Sequence, residues 1–184
     1  MTEICTNMIS YLRQIYNFPI YESIIIMFTA AFLYFLGCLF IPGLKRKITN
    51  GTIVSGLLLS FYVSQVIGVT LLNRTITEEA RYDLNMIDVY RIAFSGNSVF
   101  LTQLIGNVIM FVPFGILVPI CFRGTRGIFK ILLLSFLFSL FIETTQLYTH
   151  TGLFELVDLL NNTLGGFIGY FVFKIFYWTG KVIN

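Results

Sequence analysis

The chain has 184 residues, of which 57% are hydrophobic, 17% aromatic and only 11% charged, with a mean hydropathy of +0.84. A water-soluble domain carries about 25% charged residues to keep its surface wetted, so this composition excludes an ordinary soluble fold. The net charge of +3 is small and the basic residues are scattered, which argues against a nucleic-acid partner. The length suits one compact domain.

Residues 1–19 place Ile4, Met8, Tyr11, Leu12 and Ile15 at helical spacing, which fits a short helix lying in the membrane interface. Five apolar stretches follow, each near the ~20 residues that cross a bilayer core: Ile20–Ile41, Thr52–Asn73, Val99–Cys121, Ile128–Tyr148 and Leu159–Trp178. The first stops at the breaker pair Pro42-Gly43. Its basic cluster follows it instead of preceding it, so it reads as a retained helix and not as a cleaved leader. In the long loop after the second stretch, Arg81–Phe94 reads as another interfacial helix, anchored by Leu84, Ile87 and Tyr90. No internal repeat is visible, so a transporter of two duplicated halves is not indicated.

Charge fixes the expected orientation. Lys45, Arg46 and Lys47 lie in one link, Arg123, Arg126 and Lys130 in another, and Lys174 and Lys181 near the C-terminus, with no acidic residue among them. Glu3, Glu78, Glu79, Asp83, Asp88, Glu155 and Asp158 lie in the alternate loops, with Glu22 at the edge. The positive-inside rule then puts the N-terminus outside and the C-terminus in the cytoplasm. The expected fold is an all-α polytopic bundle of about five transmembrane helices over residues 20–184, preceded by the interfacial segment 1–19.

Polar side chains inside apolar spans are costly, so their positions are informative. Ser135, Ser139, Glu143, Gln146 and His150 recur every three or four residues and share one helix face. Gln103 and Asn107 are four apart near the outer end of the preceding span, which continues into Pro113 and Gly115. The last span begins with Asp158, Asn161 and Asn162, followed by Gly165, Gly166 and Gly169. All three polar faces fall in the outer half of the membrane. Their convergence predicts a polar cavity lined by Gln103, Asn107, Glu143, Gln146, Asp158 and Asn162. Arg74, Arg81 and Arg91 of the long loop are placed to pair with its carboxylates or with an anionic ligand.

Each of these residues also has a plainer reading. Gln103, Asn107 and Asn162 serve equally as interhelical glue, and Asp158 equally as an N-terminal helix residue. The glycines fit close helix packing, and Pro113 fits a structural kink. Glu143, a carboxylate deep in an apolar run, favours a functional role. Cys5, Cys38 and Cys121 match no metal or redox spacing, and His150 stands alone, so neither a metal nor another cofactor is expected.

Three segments resemble the motifs of VanZ-like membrane proteins: Asn107–Pro119 (NVIMFVPFGILVP), Ser139–Gln146 (SLFIETTQ) and Glu155–Gly169 (ELVDLLNNTLGGFIG). The resemblance spans residues 70–172. The chain departs from it at Asn85-Met86-Ile87-Asp88, where relatives often have an aromatic-proline step, and at Gly152-Leu-Phe154, where many have a basic residue. The resemblance implies low-level resistance to the lipoglycopeptide teicoplanin without comparable protection against vancomycin, in a bacterial plasma membrane.

Three classes of function remain in view. One is a non-enzymatic binder of a lipid-anchored amphiphile, either teicoplanin or an envelope lipid. The second is a membrane enzyme acting on a lipid-linked envelope precursor, with Glu143 and Asp158 as acid and base. The third is a small proton-coupled lipid transporter or flippase. The sequence has no serine elbow, cysteine–histidine pair or phosphate-cradling loop and leans away from an enzyme. Membrane lipids are the expected surroundings, and the oligomeric state is not legible.

Overall fold

A computed structural model describes Ile24, Thr29, residues 50–72 and residues 81–180. The interfacial segment 1–19, the basic link 42–49, Arg74 and all of the expected span Ile20–Ile41 except those two residues lie outside the described part. Helix α1 (Asn50–Ile67) runs into a π-helical turn, Gly68–Leu72. Strand β1 (Arg81–Asp83) and helix α2 (Met86–Phe94) follow, then the long helix α3 (Ser98–Cys121). A 3-10 turn at Arg123–Thr125 leads to α4 (Ile128–Thr149), β2 (Leu153–Glu155) and α5 (Leu156–Trp178). Four of these helices, α1 with its π turn, α3, α4 and α5, are long and apolar enough to cross a bilayer.

The helices are inverted relative to those of a soluble bundle. Leu133, Phe136, Leu137 and Phe141 on α4, and Leu160, Leu164, Ile168, Phe171 and Ile175 on α5, face outward, while Ser135, Ser139, Glu143, Gln146, Asn161 and Asn162 are buried. Lipid accepts the first set at no cost, and only the interior of a bundle accepts the second.

Glycine sets the helix spacing. A Cβ built on Gly165 would lie 2.2 Å from the Val108 carbonyl oxygen, and one on Gly169 would lie 2.1 Å from that of Val112. One on Gly115 would lie 2.1 Å from the Gly166 carbonyl oxygen. The backbones of α3 and α5 therefore touch directly, the small-xxx-small geometry expected from Gly165 and Gly169. Gly166 also admits Ser135 of α4, whose hydroxyl oxygen would sit 2.0 Å from an added Cβ. Around this seam pack Val66, Phe111, Phe114, Val118, Ile131, Ile142, Tyr170 and Phe173. The rings of Phe111, Phe114 and Phe138 lie 5.3–5.9 Å apart. Pro113 stands inside α3, where it withholds an N–H from the preceding turn. Helix α1 is tied to α3 by the Tyr62 hydroxyl, which donates to the Met110 carbonyl at 2.7 Å.

The two ends of the bundle are built differently. At the end holding the Arg123–Thr125 turn, Arg126 Nε donates to the Pro119 carbonyl at 3.0 Å while its guanidinium lies 4.9 Å from the Tyr177 ring centre. Its own carbonyl accepts from the Tyr170 hydroxyl at 2.8 Å. At the other end β1 and β2 pair in parallel, Arg81 with Leu153, Tyr82 with Phe154 and Asp83 with Glu155. Helix α2 then lies over α3 and α5, with Val89 and Ala93 buried against Leu104 and Val157. The expected helix Arg81–Phe94 is thus shorter: residues 81–83 are taken by the strand, and Asn85 starts the helix at Met86 by accepting the Asp88 N–H. Leu84 and Ile87 are exposed, while Tyr90 is half-buried.

Candidate functional site

The π turn, α3, α4 and α5 border a cavity of about 170 Å³. Its polar lining is Thr70, Gln103, Asn107, Glu143, Gln146, Asp158 and Asn162, and its apolar lining is Val69, Met110 and Ile142. The six polar residues singled out from helical spacing thus border one space. Exposure grades along it: Gln103 is exposed, Asn107 and Asp158 are half-buried, and Glu143, Gln146 and Asn162 are buried. The cavity therefore has a mouth at Gln103 and a floor formed by α4 and α5.

The carboxylate at the floor is held by the backbone. Glu143, only 2% exposed, accepts the N–H of Glu155 at 3.0 Å. Glu155 precedes the first turn of α5, so this carboxylate meets the positive end of that helix, where unpaired N–H groups favour negative charge. A glutamate deep in an apolar run is tolerated because β2 turns into α5 directly above it. The parallel pairing of β1 and β2 fixes that turn.

Gln146 is used differently. Its Nε2 donates to the Thr70 carbonyl at 2.8 Å. The π turn at Gly68–Leu72 departs from the regular α-helical pattern there, and such turns free carbonyls for other donors. Gly152 is buried against the same amide, since an added Cβ would lie 2.9 Å from Gln146 Oε1. Gly152 thus backs the Gln146 side chain that lines the cavity.

Asn162 Nδ2 donates to the Ser139 hydroxyl at 2.8 Å, joining α5 to α4, and its Oδ1 is buried with no partner among the described residues. Asn161, on the neighbouring face, accepts the Tyr90 hydroxyl at 2.9 Å and thereby ties α2 to α5. Burial pushes the Tyr90 phenol above its ordinary range, the Asn161 hydrogen bond offsets this in part, and the nearby Asp158 carboxylate raises it further. Asp158 lies in the first turn of α5 and also borders the cavity, so its two readings coincide in one position.

The arginines depart from expectation. Arg91 pairs with Asp88 at 2.8 Å on the exposed face of α2. Arg81 is exposed on β1, and neither residue lines the cavity. The i,i+3 spacing on α2 brings Asp88 within reach of Arg91, and the pair is local to that helix. Arg74 lies outside the described residues. His150 is the left-handed cap of α4, with φ 57°.

Several contributors carried no sequence signal. Thr70 reaches the cavity through the π turn, and Glu155 acts through its backbone N–H. The pairing of β1 and β2 involves strands of three residues, too short for an alternating pattern to register. Ser139 did register, as part of the polar face of α4.

The family model for VanZ/LLP1 matches residues 53–177. Protein VanZ of Enterococcus faecium is 29% identical over 136 residues, covering 73% of this chain and 80% of that protein. No solved structure matches. The cavity and the glycine seam both fall within the matched stretch, and the chain belongs to the VanZ/LLP1 family.

Proposed function

We propose that this protein is a non-enzymatic binder in the bacterial plasma membrane, its cavity facing the outer leaflet and engaging the polar group of a lipid-anchored amphiphile. The observation that carries the reading is the convergence of seven polar side chains, drawn from three helices and the π turn, on one cavity of about 170 Å³. Pockets for whole drug-sized ligands run about 300–1,000 Å³. The cavity therefore suits a terminal polar group, with the apolar part of the ligand lying along the lipid-facing surface. Membership of the VanZ/LLP1 family supports a teicoplanin-resistance-related role, and an acyl-anchored antibiotic is an amphiphile of the required kind.

The test is expression of the wild type and Glu143→Gln in a glycopeptide-sensitive Gram-positive host, with teicoplanin and vancomycin susceptibility measured side by side at matched membrane levels. Protection against teicoplanin alone, lost in the variant, supports the reading. A second reading, acid–base chemistry on a lipid-linked envelope precursor, draws on Glu143 and Asp158 bordering the same cavity. Turnover of such a precursor by the purified wild type, abolished in Glu143→Gln, would favour it over binding alone.

A further inference from the structure

The cavity's hydrogen-bonding inventory is lopsided. Gln146 Nε2 is committed to the Thr70 carbonyl and Asn162 Nδ2 to Ser139. These two amides therefore offer a ligand chiefly their carbonyl oxygens. Asn162, 2% exposed, has an Oδ1 with no donor among the described residues, a costly state for a buried acceptor. Glu143 and Asp158 add two carboxylates, which accept and do not donate when ionised. No lysine, arginine or histidine lines the cavity among the described residues.

We propose that the group this cavity takes is a primary ammonium borne by an amphiphile. The inference rests on the binding reading above and names the chemistry of its ligand. An ammonium supplies three donors, no acceptor and the opposite charge, and it is small enough for about 170 Å³. A phosphate or carboxylate brings acceptors to acceptors and is repelled by both acidic side chains. Gln103 and Asn107 at the mouth retain amides that can orient the linking atoms outside the charged group.

The experiment uses the full chain in detergent micelles and intact-complex mass spectrometry, with dodecylamine, N-dodecylacetamide and dodecyl phosphate as probes. Dodecylamine is expected to bind at least tenfold more tightly than the other two, and Asp158→Asn to lose about tenfold of that affinity. Glu143→Gln provides a second charge-removing variant if Asp158→Asn does not fold. Phosphate binding as tight as amine binding, or unchanged amine affinity in both variants, overturns the ammonium assignment while amphiphile binding stands. Failure of a folded wild type to bind any of the three removes both. Repeating the amine titration in nanodiscs with and without phosphatidylethanolamine separates the sources. Competition points to a membrane headgroup, and its absence points to an amine-bearing amphiphile from outside.

Discussion

Replacing Gly169 by alanine tests the glycine seam between α3 and α5. The added Cβ would lie 2.1 Å from the Val112 carbonyl oxygen and 3.0 Å from the Gly115 Cα. Both obstacles are backbone, so no side chain can swing aside. To reach an ordinary contact distance of 3.4 Å the helices must part by roughly 1.3 Å at this point. Overpacking of this kind costs about 1–3 kcal/mol, and the rigidity of the obstacles puts Gly169→Ala toward the upper end. Alanine's better helix propensity returns up to about 1 kcal/mol, leaving a net loss of about 2 kcal/mol. Thermal unfolding of the purified protein in detergent measures this. Gly56→Ala, where nothing lies within 4 Å of the new methyl, is the control and is expected to be neutral or slightly stabilising. Equal stability of Gly169→Ala and wild type would refute backbone contact between α3 and α5. Because α5 also carries Asp158 and Asn162, the same substitution is expected to weaken ligand binding along with stability.

Other expectations follow from single contacts. Gln146→Leu removes the donor to the Thr70 carbonyl and is expected to cost about 0.6–1.7 kcal/mol, read from the same unfolding curves, with faster amide exchange at residues 68–72. Tyr90→Phe leaves Asn161 without its partner and is expected to accelerate exchange across residues 86–94 while leaving α4 unaffected. The raised Tyr90 phenol means the folded state holds its proton more firmly than the unfolded one. The stability this contributes is complete below the ordinary tyrosine range and is lost as pH rises from there through the raised folded value. Exchange of α2 should therefore increase at alkaline pH in the wild type, with the Tyr90-dependent part of that increase absent in Tyr90→Phe. Ser135→Ala removes a buried hydroxyl that has no partner among the described residues, so it is expected to be neutral or stabilising by the same thermal assay.

The sequence made the spans and the convergence of the polar faces legible for one reason: helical periodicity converts spacing into direction. Ser135, Ser139, Glu143 and Gln146 are all buried, while Leu133, Phe136, Leu137 and Phe141 between them face outward. What escaped was contact made by backbone atoms. The Glu155 N–H on Glu143, the Thr70 carbonyl on Gln146 and the pairing of residues 81–83 with 153–155 depend on where two distant segments meet. Side-chain identity encodes none of these. Arg91, expected to be available to the cavity, is instead paired with Asp88, one turn away on the same helix.

The direct apposition of α3 and α5 also divides the molecule mechanically. Two helices in backbone contact at Gly115, Gly165 and Gly169 cannot slide past each other without carbonyl oxygens colliding. They form a stiff keel carrying Gln103, Asn107, Asp158 and Asn162. The other half of the cavity wall, Glu143 and Gln146 on α4 and Thr70 on the π turn, is attached to that keel largely by hydrogen bonds and side-chain packing. Under the proposed binding role, admission of a ligand falls to α4 and the π turn, which can yield by exchanging partners, while the keel holds its half of the cavity wall fixed.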